Sequence, residues 1–368
     1  MRDFIPQIEP WIDQEEMVQL QRVVDSTYVT ENKLTKEFEE RIKDLTGSKY
    51  AVAVTNGTAA LYCCLTSLGV GQGDEVIVPN LTFVASSNAI IWCGATPVFC
   101  EVSEETFCID PQEMEKLITP KTKAIMPVHL YGQSADMDAI MKIAIKYDLK
   151  VIEDAAQGVG VRFNGKHTGT FGDMGILSFY GNKTITCGEG GVILTDSKEL
   201  RDLSYRMKNH GRPIKGTFKH DAIGYNFAFT EMQAAIGIAQ LNKLSRITEK
   251  KLEIHDRYCE ELEQLGDKFV KLRLDPRCTP VWWFTSFVTE YKQELKEHLL
   301  TKGIQTRDFF YPLHMQPCYE HMKIDGDFTI SEQLYSKGIS LPSSYNLTNE
   351  EQRYIIECVL EFFGEKYD

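Results

Sequence analysis

GILSFYGNKTITCGEGGVIL, residues 175–194, decides how the rest of the chain is read. A short apolar run ends at Ser178 and Phe179, a polar turn presents Lys183, and GEGG at 188–191 opens a second apolar run. Apolar runs of this length, separated by Gly and Asn, read as two buried strands and their connection. A lysine held there among glycine and hydroxyl residues is poorly placed to be a merely solvated cation. Desolvation would leave it a share of neutral amine, which is what a nucleophile for Schiff-base chemistry needs. A lone lysine in a turn is more often structural, so the reading depends on what else the chain supplies.

Working outward, strands and helices alternate. Strands are expected at 50–54, 75–78, 96–101, 124–128 and 151–153, and helices at 60–68, 85–92, 111–118 and 137–147. Repeated βα units of this kind imply a mostly parallel sheet between helices, with ligands gathered at the carboxyl ends of the strands. Ahead of them lies an arm with two prolines, then helical patterns at 15–25 and 34–45 around the polar turn STYVTENK, 26–33. Beyond residue 194 a long helical pattern covers 230–265, followed by a strand at 281–289 and helices at 293–302 and 349–363. The expected class is α/β, with a large domain at 1–245 that includes the arm and a smaller C-terminal α/β domain at 246–368. Trp282 and Trp283 read as core, where large aromatic groups usually sit.

The whole-chain balance narrows the function. With 368 residues, 43% hydrophobic and 25% charged, the chain can bury a large core. A formal charge of −13 argues against nucleic-acid binding, which needs a basic face. No apolar run reaches membrane-spanning length and MRDFIPQIEPW lacks a signal-peptide core, so no membrane partner is expected. Ten cysteines without any CxxC fit reduced, mostly buried thiols in the cytoplasm.

Two more stretches complete the constellation begun by Lys183. Asn56-Gly57-Thr58 comes after the first strand and opens a helix, whose free N–H groups and positive end suit a phosphate. An ordinary helix cap would use the same residues. KVIEDAAQ, 150–157, is an apolar strand ending in two carboxylates. A capped strand end is one reading; the other is that Asp154 is buried against a cation, and a protonated pyridine nitrogen is such a cation. A phosphate-binding helix start, an aspartate at a strand end and a downstream lysine with Ser178 nearby are together the parts of a pyridoxal 5′-phosphate site.

The chain resembles the DegT/StrS-type sugar-nucleotide aminotransferases, which are pyridoxal-phosphate enzymes of the aspartate-aminotransferase-like fold (fold type I). The resemblance is carried by TNGTAAL, GDEVIVPNLTFVAS, CGATPVFCEV, ITPKTKAIMPVHLYGQSADMD, VIEDAAQGVG, SFYGNKTITCGEGG, GYNFAFTEMQAAIG and YPLHMQPCY, from the arm to about residue 345. It implies that Lys183 forms the Schiff base with the cofactor and then moves the proton, and that Asp154 meets the pyridinium nitrogen. Gly57 and Thr58 would hold the phosphate with Ser178, Phe83 would stack on the ring and Gln157 would reach the ring hydroxyl. Asn226 would be a phosphate ligand donated to a neighbouring subunit, which implies a homodimer with sites at its interface. His314 and Tyr311, in YPLHMQPCY, are candidate substrate contacts, and His129 at a strand end stands on a similar footing to His314.

Within the family the wording looks most like that of the GDP-perosamine synthases, which aminate C4 of GDP-4-keto-6-deoxymannose. L-glutamate as nitrogen donor and a role in O-antigen or another surface glycan are implied by that likeness. Three positions depart from the family's usual pattern: the loop YVTENK at 28–33, Ala228 where many relatives carry Arg, and Gln157 where a Glu is expected. A 3-ketosugar or a dTDP- or UDP-4-ketosugar is the alternative substrate. The resembling dehydratases replace the lysine with histidine, whereas Lys183 is intact. A non-catalytic, cofactor-binding regulator is a remote alternative, with no appended DNA-binding module and an acidic charge against it.

Overall fold

The computed structural model describes residues 2–214 and 216–367. Seven strands form its central sheet: β1 (Tyr50–Val54), β2 (Glu75–Pro79), β3 (Thr96–Cys100), β4 (Thr122–Ile125), β5 (Lys150–Asp154), β6 (Met174–Ser178) and β7 (Gly191–Thr195). They lie in the order β1-β7-β6-β5-β4-β2-β3. β7 pairs antiparallel with both β1 and β6, while the pairs from β6 through β3 are parallel. The strands are nearly continuous runs of Val, Ile, Leu and Ala because helices cover both faces, and every residue of β6 and β7 is buried.

Six strands point the same way, so their carboxyl ends share one edge with the start of β7. Val54 and Ser178 both sit opposite Gly191, and Asp154 sits opposite Ile176. The turn after β1 and the ends of β5 and β6 are thereby brought together. Gly191 has to be glycine, since a Cβ there would lie 2.4 Å from the Asn56 carbonyl oxygen.

Helix Lys33–Thr46 starts without a capping bond from its own N-cap side chain. The Glu231 carboxylate caps it instead, accepting from the N–H groups of Asn32, Leu34 and Thr35 and from the Thr35 hydroxyl. Negative charge at a helix N-terminus is favourable, and this one ties the helix to the start of Glu231–Glu261. Phe38, fully buried on that helix, meets the rings of Phe179 and Phe229 at 5.2 and 5.4 Å. Phe179 comes directly after β6, so Phe38 backs the connection that carries Lys183. Phe38→Ala should cost about 3–5 kcal/mol, read as a lower denaturant midpoint at unchanged slope.

Helices expected at 15–25, 34–45, 85–92, 137–147, 293–302 and 349–363 fall within one residue of those observed. Two downstream elements differ. The long helix ends at Glu261 and gives way to the 3-10 turn Glu263–Lys268. The strand expected at 281–289 is confined to Thr285–Val288. Its first residues pair elsewhere: Val281 N–H donates to the Gly132 carbonyl and Trp283 N–H to that of Tyr131. Gly132, at φ 96°, admits this docking because a Cβ there would fall 2.0 Å from the Val281 carbonyl oxygen.

A second sheet is ordered Val270–Lys271, Thr285–Val288, Gly338–Leu341, Arg307–Asp308. Its core is shared with helices Lys292–Thr301 and Asn349–Phe363. The N-terminal arm lies on this unit: Ile5 bridges Ile304 and Arg2 pairs with Glu351 at 2.7 Å. The long helix Glu231–Glu261 connects the two units. Among the described residues no helix is long and apolar enough to cross a membrane.

Candidate active site

A cavity of about 320 Å³ opens at the shared strand edge, and its lining includes Gly57, Thr58, Phe83, Asp154, Gln157, Ser178 and Lys183. One end is the start of helix Gly57–Ser67. The Asn56 side chain accepts from Ala59 N–H at 2.9 Å and its carbonyl from Ala60 N–H at 3.1 Å. The N–H groups of Gly57 and Thr58 are thereby left at the cavity without an intrahelical acceptor. A Cβ on residue 57 would sit 3.2 Å from Ser178 Cβ, so glycine lets the Ser178 hydroxyl stand beside those donors. Two N–H groups, two hydroxyls and a helix N-terminus form an anion cradle.

Asp154 closes β5 and is buried. Its Oδ2 accepts from the Ser86 hydroxyl at 2.8 Å and its Oδ1 from Ala156 N–H at 3.1 Å, so two donors fix the plane of the carboxylate. Gln157 is fixed in the same way. Its Oε1 accepts from Tyr131 N–H at 2.7 Å, which leaves the Nε2 donors without a partner among the described residues. A glutamate here would offer no donor, so the departure at position 157 changes what this wall presents.

Lys183 sits in the connection between β6 and β7. Its Nζ lies 4.0 Å from the ring centroid of Trp283, and among the described residues no hydrogen-bond acceptor takes it. Burial pushes the amine down to about 8; Asp154 opposes the fall and Arg307 adds to it. Roughly a tenth of such an amine is neutral at pH 7, far more than of an ordinary lysine. Trp283 also donates its Nε1–H to the Asn182 carbonyl at 2.6 Å, so it pins the backbone one residue before Lys183.

Trp283, Arg307 and Phe310 complete the wall around Lys183, and sequence reasoning did not place them there. Trp283 is buried, as its reading as core required, but one face of it belongs to the cavity. Its signal was the adjacent pair Trp282-Trp283; that of Arg307 was a lone cation just ahead of the apolar DFFYPL run.

Four candidates lie elsewhere. His314 has both ring nitrogens engaged, Nδ1 with Asn80 and Nε2 with Glu332 at 3.1 Å, and it stacks on Phe328. Tyr311 packs edge-on against Tyr335. Asn226 is exposed and its backbone bridges Asn209. His129 is fully buried, with Nε2 3.0 Å from Glu153, whose carboxylate also accepts from the N–H groups of Gly169, Phe171 and Gly172. It braces the backbone behind the site.

A cradle for a phosphate, a fixed carboxylate and a partly neutral amine now stand in one cavity, and known aminotransferases are similar to this chain along its length. The DegT/DnrJ/EryC1/StrS aminotransferase family pattern matches residues 10–360. The chain belongs to this family. GDP-perosamine synthase of Escherichia coli O157:H7 is 40% identical over 368 residues, covering 99% of this chain and 100% of that one. Among solved structures, S. venezuelae DesV in complex with a ketimine intermediate superposes with a TM-score of 0.91 at 33% identity, covering 97% and 98% of the two chains. NtdA from Bacillus subtilis, with bound cofactor PMP, gives 0.89 at 31%, covering 96% of this chain and 82% of that one. The α/β architecture expected from the sequence is therefore the fold of this family, and the protein is a pyridoxal-phosphate-dependent sugar aminotransferase.

The residues present fit that cofactor. The N–H groups of Gly57 and Thr58 left over by the Asn56 cap, with the Ser178 hydroxyl, match a phosphate in number and sign, and the fixed Asp154 carboxylate matches a protonated ring nitrogen.

Proposed function

We propose that this aminotransferase moves the amino group of L-glutamate to a nucleotide-linked 4-keto-6-deoxy sugar of the GDP-4-keto-6-deoxymannose type. The observation that carries the choice of sugar is the 40% identity with GDP-perosamine synthase along the whole of both chains. When bound, pyridoxal phosphate supplies an electron sink that lets the proton on the donor's Cα leave as H⁺. Gly57, Thr58 and Ser178 hold the phosphate, and Asp154 keeps the ring nitrogen protonated by opposing its charge. Gln157 donates from Nε2 to the ring hydroxyl oxygen, and Phe83, 6.1 Å from Phe310 by ring centroids, covers a ring face.

Lys183 does the rest. Its amine takes the proton from the donor's Cα in the first half-reaction and delivers one to C4 of the sugar in the second. An amine brought down to about 8 can both accept and release a proton near neutral pH. Glutamate enters and 2-oxoglutarate leaves before the ketosugar enters, which gives ping-pong kinetics. Tyr311 and His314, just beyond the cavity wall at Phe310, are assigned to the sugar nucleotide outside the cavity.

The working unit in this reading is a homodimer in which Asn226 completes the phosphate site of a second copy. Phe218 and Ile223, on the segment leading to Asn226, are 93% and 88% exposed, and in this reading the second copy covers them. Ten free cysteines, seven of them buried, suit the reducing cytoplasm. In the same reading residues 1–245 form the cofactor domain and 246–368 the smaller one.

The test is incubation of the holoenzyme and L-glutamate with GDP-, dTDP- and UDP-linked ketosugars, with the product located by NMR. The expected product is an amine at C4 of the GDP-linked sugar. Amination at C3, or turnover confined to a dTDP- or UDP-sugar, would replace the substrate reading.

A further inference from the structure

The amine of Lys183 rests on a ring face rather than on an acceptor. Nζ lies 4.0 Å from the centroid of the Trp283 ring, and among the described residues no oxygen or nitrogen takes a hydrogen bond from it. The ring is held at several points. Trp283 is buried, its backbone N–H donates to the Tyr131 carbonyl, and its own carbonyl accepts from the Lys251 amine at 3.0 Å. The indole N–H donates to the Asn182 carbonyl at 2.6 Å. Phe284 covers one face, 3.8 Å away between centroids, which leaves the other face to Nζ. Of the charged groups nearby, Asp154 favours the ammonium and Arg307 opposes it. Tyr180 and Glu189 share the cavity wall, and Glu9, Lys251 and Tyr345 line a second space of about 10 Å³ beside Lys183.

The face of an indole is negative and attracts an ammonium, more strongly once water is excluded. It offers a neutral amine no comparable attraction, so the ring favours the charged form where burial disfavours it. A carboxylate in its place would hold the ammonium by a directional, charge-assisted bond and resist its release. A ring face holds the amine without a bond that must break before the side chain moves.

We infer that Trp283 is a positioning residue for proton transfer, its free face being the rest on which the Lys183 amine sits as an ammonium between taking a proton and giving it up. This rests on the proposed use of Lys183 as the proton carrier. The proton taken from the donor's Cα stays on Nζ until it is delivered, and the ring itself gains and loses nothing. The indole N–H fixes where the rest lies, because it is bonded to the backbone one residue before the lysine. Ring and amine therefore keep one spacing from cycle to cycle.

The test replaces Trp283 with tryptophans carrying one, two or three ring fluorines, which weaken the negative face stepwise while keeping the shape and the N–H. In the full chain freed of cofactor, trace acetylation across pH with peptide mass spectrometry reads the midpoint of the Lys183 amine directly. That midpoint starts at about 8 and should fall by about half a unit to one and a half units along the series. Trp283→Phe, which keeps a weaker face, should fall within the same range. In the holoenzyme the weaker base should lower turnover about threefold to tenfold and raise the isotope effect of deuterium on Cα of L-glutamate. KM for L-glutamate should stay within about twofold. A midpoint that stays put or rises, or one that falls while turnover and isotope effect do not change, would overturn the assignment. Failure of Lys183 as the proton carrier is seen separately, as turnover that survives Lys183→Ala.

Discussion

Lys183→Ala should lower turnover by at least about ten-thousandfold, the upper range for loss of a proton-transfer group, while pyridoxal phosphate still binds. The phosphate cradle at Gly57, Thr58 and Ser178 and the carboxylate of Asp154 are untouched by the change, so the cofactor keeps its non-covalent contacts. What disappears is, among the described residues, the only amine on the cavity wall. Lys251 lies behind it, but its amine donates to the carbonyls of Trp283 and Ser343, both at 3.0 Å, and cannot be redirected without breaking those bonds. Lys183→Arg should be as inactive, because a guanidinium is never neutral under these conditions. Added small primary amines should restore part of the Lys183→Ala rate by substituting for the missing base. In the wild-type apoenzyme, burial sets the pH range: capture of free cofactor should speed up as pH rises, with a midpoint near pH 8. A midpoint close to the ordinary lysine value would mean that the amine is not desolvated as the cavity implies.

The second large effect is expected at Asp154. Asp154→Asn keeps the shape of the side chain and one of its two acceptor oxygens, so the fold and the Ser86 contact should survive. The change removes the negative charge that opposes a protonated ring nitrogen. Turnover should fall by about two to four orders of magnitude, the scale seen when a fixed electrostatic partner of developing charge is lost. Cofactor affinity should fall by less than about tenfold, because the phosphate end supplies separate contacts. Asp154→Glu should also fail, since Ser86 and Ala156 hold the carboxylate at one reach from the strand end. A variant that loses cofactor but retains kcat when saturated would show that Asp154 only anchors the ring.

Much of this site was legible because its parts are local. The turn after β1, the acids ending β5 and the lysine between β6 and β7 each lie at or just past a strand end, and a parallel sheet brings strand ends to one edge whatever the details of packing. The helices were legible for the same reason, since their periodicity and caps are written within a few residues. Arg307 was not, because it reaches the cavity from a short strand paired with Gly338–Leu341, and Trp283 was not, because the segment 281–283 hydrogen-bonds to Tyr131 and Gly132, far earlier in the chain. That docking also shortened the strand expected at 281–289. No local pattern announces a backbone pairing between two loops, and an aromatic pair in an apolar run looks the same whether it faces a core or a ligand. The chemistry of the amine and the acid could be argued from residue types, whereas the sugar nucleotide and the second subunit came from the family resemblance alone.

The most direct measurement is borohydride reduction of the wild-type holoenzyme, then proteolysis and peptide mass spectrometry. The reduced cofactor should be found on one peptide, attached to Lys183. Attachment to another lysine, Lys251 included, or no attachment in a preparation that retains pyridoxal phosphate, would contradict the site described.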